Sequence, residues 1–246
     1  MRLVATALLL AIATATLATR LAAQDGSGRP RGPRGRAAAQ ADWVSIFDGR
    51  TLTGWRGWRQ PSGARGWVVK DGAMTREGPG GDIVFDRELG DFELELEWKV
   101  GPGANSGIMF HASETTAMPW EGGPEMQILD DAGHPDGRNR LTSAGANYAV
   151  EAIPAGLAKG ANQWNRIRLV VRGMHVEHWM NGTKALEYEL GSPDWKRRVA
   201  ASKWKDVPTY GTFGRGYVVL QGDHSTDIWF RNVRLKDLDA ARKAPK

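Results

Sequence analysis

No cysteine occurs among the 246 residues. That excludes disulfides, thiolate nucleophiles, Cys-ligated zinc and lipid attachment through a thiol. Long apolar runs are scarce as well. The stretch from Leu3 to Leu17 behind Arg2 is short and Ala-rich for a membrane span, and Leu21-Ala22-Ala23 offers small residues for cleavage. Residues 1–23 therefore read as a secretory signal peptide, and no stable membrane insertion is expected. With no lipobox cysteine, a periplasmic or secreted protein is expected. A Gly-x-Gly-x-x-Gly fingerprint between a strand and a helix is missing too, so a dinucleotide site is not expected. Nor is there an excess of basic charge in the folding part. The net charge is +5, but residues 1–40 hold six Arg and one Asp, which leaves 27 basic and 27 acidic residues beyond them. Nucleic acid is set aside as a partner on that ground. Residues 24–40 lack core-forming side chains and read as a flexible basic tether.

What the chain does have is strands. Asp91-Phe-Glu-Leu-Glu-Leu-Glu-Trp-Lys-Val100 alternates strictly, with Phe92, Leu94, Leu96, Trp98 and Val100 on one face and charges on the other. Further strands are predicted at 66–70, 82–85, 106–111, 124–129, 165–172, 175–180, 185–190, 217–221 and 228–235. Arg172-Gly173-Met174 and Asn181-Gly182 punctuate them as tight turns. One short helix is expected near Pro193–Ala201, capped by Ser192. The implied fold is all-β, an antiparallel two-sheet sandwich or jelly roll over residues 41–239, with a tail at 240–246. Eleven Trp supply core bulk and platforms on which a sugar ring could stack.

The densest chemistry lies in Gly123-Pro-Glu-Met-Gln-Ile-Leu-Asp-Asp-Ala-Gly-His-Pro-Asp-Gly137. Glu125 and Gln127 are two apart, so in a strand they share a face while Met126 and Ile128 turn to the core. Asp130, Asp131, His134 and Asp136 follow within a turn. A divalent metal ion on Asp130 and His134 is one reading of that turn; Asx-turn chemistry is the other. The spacing matches neither an EF-hand loop nor a His-Glu-x-x-His site. A second cluster is Leu220-Gln-Gly-Asp-His224, where Gln221 and His224 stand at a strand end. Asn105 in a Gly-rich turn suits hydrogen bonds to hydroxyls, and Trp120 precedes the Glu125 strand, placed to stack on a ring. His178 reads as a cleft residue and His175 as solvent-facing, while His111 ends a strand near the pocket mouth.

Taken in order, Ile46-Phe-Asp-Gly-Arg-Thr-Leu-Thr-Gly-Trp55, Gly81-Asp-Ile-Val84, Asn105-Ser-Gly-Ile108, Gly123-Pro-Glu-Met-Gln-Ile-Leu-Asp130, Trp164-Asn165, His178-Trp-Met-Asn-Gly182 and Trp229-Phe-Arg-Asn-Val-Arg234 resemble the 3-keto-disaccharide hydrolase family. The resemblance runs from Trp43 to Leu238. It implies a concanavalin A-like jelly roll of the lectin/glucanase type, acting on glycosides whose C3 hydroxyl has been oxidised by a separate sugar 3-dehydrogenase. The chain reads Gln-Gly-Asp-His where relatives tend to carry Gln-Asp-His, so the placement of His224 is tied to that insertion.

A 3-keto sugar opens a route that ordinary glycosidases lack. The ketone acidifies the C2 proton; a base removes it, an enolate forms at O3, and the C1 leaving group departs. Addition of water makes the net reaction a hydrolysis, and its omission makes the enzyme a lyase. Such a site needs a base, a positive or hydrogen-bonding group at O3, and an acid near the glycosidic oxygen. Glu125 and His224 are the candidates for proton transfer, Gln127 and Gln221 for orienting the sugar, and Arg231 for polarising the ketone or pairing with Glu125. The competing reading is a non-catalytic carbohydrate-binding domain of lectin type, since one fold serves many functions. A conventional two-carboxylate glycosidase, with Asp130 as second carboxylate, is a third.

Overall fold

The computed structural model describes residues 42–222, 224 and 227–239. The signal peptide, tether and C-terminal tail expected from the sequence lie outside the described residues. Strands follow one another as β1 Val44–Ser45, β2 Trp55–Gly57, β3 Trp67–Lys70, β4 Ala73–Arg76, β5 Ile83–Phe85, β6 Phe92–Val100 and β7 Asn105–Ala112. After them come β8 Glu125–Leu129, β9 Asn165–Arg172, β10 His175–Met180, β11 Thr183–Glu189, the helix α1 Pro193–Ala200, β12 Tyr217–Leu220 and β13 Ile228–Asp237. The larger sheet runs β11-β10-β9-β6-β13-β4-β3, with β1 added along β13; the smaller runs β2-β5-β12-β7-β8. The ladders are antiparallel, and the fold is the jelly-roll sandwich expected.

Alternation explains how the two sheets close. Phe92, Leu94, Leu96, Trp98 and Val100 of β6 join Ile108 and Phe110 of β7 and Met126 and Ile128 of β8 in one core, and each is at most 2% exposed. Each such side chain contributes roughly 1.5–3 kcal/mol when fully buried. The opposite face of β6 carries a ladder of ion pairs. Glu93 accepts from Arg168 at 2.5 Å and from Arg172 at 2.6 Å; Glu95 accepts from Arg166 and Arg234. Burial alone would raise the Glu93 pKa, but the hydrogen bonds from Arg172 and Arg168 hold it below the ordinary value. Glu97 takes Arg231 at 2.7 Å. The charged half of the alternation is therefore cross-strand pairing on β9, β6 and β13.

The helix forms where expected. Ser192 Oγ accepts from the Trp195 amide at 3.1 Å, Pro193 opens the first turn, and Trp195 is buried. Trp195 is one ring of a column: Tyr188–Trp195 at 5.3 Å, Trp195–Tyr210 at 5.8 Å, Tyr210–Trp204 at 4.8 Å and Trp204–Trp120 at 5.7 Å between centroids. The column ties α1 and the loop after it to the edge of the smaller sheet.

Candidate active site

Register on the smaller sheet assembles the site. Gln127 pairs with Gly107 and Glu125 with Met109 across β8 and β7. Val219 of β12 pairs with Met109, and the Gln221 amide donates to the Gly107 carbonyl at 2.9 Å. Gln127, Gly107 and Gln221 thus form one row across three strands, and Glu125, Met109 and Val219 the next, on the face turned away from the core. Gly107 has a specific reason to be glycine: a Cβ there would run into the Glu125 carboxylate, which lies across it. Glu125 is 4% exposed, Gln127 1% and Gln221 4%. Beyond Met109 and Val219 the same face carries Val84 and Ala112, packed under Trp58, Trp120 and Tyr217, and at its β2 edge the buried Arg56, paired with Glu114 at 2.6 Å.

The polar half opens into a cleft of about 660 Å³, within the range of small-ligand sites. Asn105, Trp120 and His224 join the floor residues in lining it, so Glu125 and His224 line the same cleft. One wall continues the sheet past β8: the Gly145 amide donates to the Gln127 carbonyl at 2.7 Å, and the Tyr148 amide to the Glu125 carbonyl at 2.9 Å. This brings in Tyr148, whose hydroxyl donates to Asp136 Oδ2 at 3.0 Å. Burial first, then that hydrogen bond and the charges of Asp136 and Glu125, push the Tyr148 pKa well up, so the phenol stays protonated. Trp204 Nε1 donates to the Tyr148 carbonyl at 2.9 Å, and Lys203 Nζ sits 4.1 Å from the Tyr148 ring centroid and 4.4 Å from that of Trp204. Burial lowers the Lys203 pKa, and the charges of Glu125 and Asp136 oppose that shift only in part.

Four residues expected at or near the site are elsewhere. Arg231 lies on the outer face of the larger sheet, bonded to Glu97 and stacked 3.9 Å from the Trp164 ring centroid, because Phe230 takes the inward position on β13. His178 points into the core from β10, where Nδ1 meets the Gly145 carbonyl at 3.0 Å and Nε2 the Tyr188 hydroxyl at 3.1 Å. Asp130 is buried and caps a turn, accepting from the amides of Gly103 at 2.8 Å and Ala132 at 3.3 Å. His111 is likewise in the core, its Nε2 at 2.8 Å from the Gly90 carbonyl.

His134 does line the cleft, but its Nδ1 accepts from the Asp136 amide at 3.1 Å. A metal-bound imidazole ordinarily donates through its second nitrogen, so this arrangement and the occupied Asp130 carboxylate do not fit a metal at that turn. Among the described residues, one group of His and carboxylates has ligand atoms within reach of a common ion. It is His175, Glu177 and Glu187, on the larger sheet, where Lys184 already bonds Glu187 at 2.6 Å. A second hollow, of about 630 Å³, lies beside β1 between Val44, Phe47 and Phe85. Its Asp48 is taken up by the amides of Arg50 and Thr51, and its Asp237 faces Arg87 at 3.3 Å.

Fold and cleft together define a jelly-roll protein whose exposed sheet face presents a buried carboxylate, two carboxamides and an aromatic rim, the equipment for a polyhydroxylated ligand. Residues 42–236 match the family described as the 3-keto-alpha-glucoside-1,2-lyase-like domain, and the chain belongs to that family. It is 34% identical over 230 residues to the 3-keto-disaccharide hydrolase of Bacteroides thetaiotaomicron, covering 80% of this chain and 79% of that protein. Among solved structures, a candidate glycosyl hydrolase from Parabacteroides distasonis is 32% identical with a TM-score of 0.74, over 80% of this chain and 94% of that one. A second candidate glycosyl hydrolase from that organism is 26% identical with a TM-score of 0.61, over 80% of this chain and 100% of that one.

Proposed function

We propose that this protein is an enzyme that cleaves 3-keto-glycosides, 3-keto-disaccharides among them, through elimination across C1 and C2 followed by addition of water. Family membership and the relative's name support the substrate class. The observation that carries the chemistry is Glu125, a carboxylate buried on the cleft floor over Gly107, with Gln127 and Gln221 beside it and His224 in the same cleft. One of Glu125 and His224 takes the C2 proton, and the other serves the glycosidic oxygen as it leaves. Gln127 and Gln221 orient the sugar hydroxyls, with Asn105 at the edge of the floor. Trp120 offers a ring face to the pyranose. The ketone is made before the substrate arrives, by a sugar 3-dehydrogenase, since this chain lacks a dinucleotide fingerprint. The apolar leader and the small residues at Leu21-Ala22-Ala23 support export to the periplasm or beyond.

Incubation with 3-keto-trehalose and with trehalose, followed by chromatography of the products, tests this reading. Only the keto sugar should be cleaved. Equal cleavage of both would favour a two-carboxylate glycosidase, and saturable binding without turnover would favour a lectin.

A further inference from the structure

Elimination next to a ketone places negative charge on O3, and the cleft floor holds neutral amides and a carboxylate but no cation. The residue expected in that role, Arg231, is on the other sheet. Among the described residues that line the cleft, Lys203 is the one cationic side chain. We propose that the Lys203 ammonium binds the C3 ketone oxygen and stabilises the enolate formed when the C2 proton leaves. This rests on the 3-keto-glycoside reading above.

The surroundings of Lys203 hold its charge in place. Its Nζ lies over the Tyr148 and Trp204 rings, and a cation over two ring faces is attracted to both. The rings are themselves fixed: Tyr148 by its bond to Asp136, Trp204 by its bond to the Tyr148 carbonyl and its stack on Tyr210. The charged and titratable groups around it are Glu125 from β8, Asp136 and His134 from the turn after β8, Tyr148 from the wall, and His224 in the same cleft. A cation positioned before the reaction costs no reorganisation as charge develops, which is what makes such groups effective. No bond to Lys203 is made. The C2–H pair becomes the C2–C3 double bond and the carbonyl π pair moves onto O3. When that pair returns, C1–C2 becomes double and the C1–O bond breaks, its electrons leaving with the leaving group, which takes a proton from the acid.

The test compares the wild type with Lys203→Met and Lys203→Arg on 3-keto-trehalose, with thermal unfolding as the check on folding. Lys203→Met should lower kcat by roughly 10²- to 10³-fold, and Lys203→Arg should recover at least about tenfold of that loss. The wild type should lose kcat/KM on the alkaline side as the ammonium deprotonates, and that limb should vanish in Lys203→Met. In a Glu125→Gln background, Lys203→Met should also abolish preferential binding of 3-keto-trehalose over trehalose. A Lys203→Met enzyme within about threefold of wild type overturns the proposal alone. So does a slowed enzyme whose alkaline limb is unchanged, the mark of a packing role. A borohydride-trapped adduct on Lys203 overturns it in favour of a covalent imine. A wild type inert toward 3-keto-trehalose overturns this proposal and the functional reading together.

Discussion

Glu125 owes its position to a neighbour with no side chain. Because the carboxylate lies across Gly107, Gly107→Ala should displace it without touching the core face of β7. Glu125→Gln should lower turnover of 3-keto-trehalose by about 10²-fold or more while leaving binding largely intact. Gly107→Ala should give a loss in the same direction with a folded protein by circular dichroism. Unchanged turnover in Glu125→Gln would remove it from the chemistry. That Glu125 and Gln127 share a face was legible in the sequence, because residues two apart on a strand point the same way. Arg231 and His178 were not. The same alternation rule decides which residues share a face but leaves open which face is the cleft, and Phe230 and Val176 claimed the core for their own rows. Lys203 was invisible for another reason. In Ser202-Lys-Trp-Lys205 it reads as a solvated loop, and the tertiary contacts of Trp204, stacked on Tyr210 and bonded to the Tyr148 carbonyl, are what tie that loop to the cleft.

At the scale of elements, the long strands could be read from alternation, whereas β2 and β4 could not. β4 is buried at all four positions, Arg76 included, so it carries no period-two signal, and β2 spans three residues. The inward face of β10 has a consequence for stability. Burial lowers the His178 pKa to about 4, the hydrogen bond to the Gly145 carbonyl opposing it only in part. His111 is shifted in the same direction by burial. A histidine that protonates near pH 6.5 when unfolded but near 4 when folded leaves stability intact above about pH 6.5. Stability should then fall as the pH drops toward 4, by about 3 kcal/mol for His178. Glu93 and Glu95, held below their ordinary values by arginines, add a further loss once the pH falls below about 4.5. Urea unfolding at pH 7.5, 6 and 5 should show a falling midpoint with an unchanged slope. His175, held above its ordinary value by Glu189, works in the opposite sense, so the comparison is made in a His175→Asn variant, where a midpoint flat across that range would mean that His178 is not held neutral.

For the molecule as a whole, the sandwich divides labour between its sheets. The larger sheet carries the ion-pair ladder on its outer face, and the smaller one carries the cleft on a face half roofed by Trp58, Trp120 and Tyr217. The fold class followed from strand counting and turn signals, because a chain with so many short amphipathic segments has few other ways to bury them. The cleft's far wall did not follow, since it depends on residues 145–148 pairing beyond β8 and on a loop more than fifty residues further along. The central claim is that the bond from C2 to hydrogen breaks during the reaction. It is tested most directly by running the cleavage of 3-keto-trehalose in heavy water and examining the released keto sugar by mass spectrometry and NMR, beside a control without protein. The account predicts that the original C2 hydrogen is lost, with deuterium at that carbon in the hydrated product. Full retention of the C2 hydrogen in the cleaved sugar would contradict it.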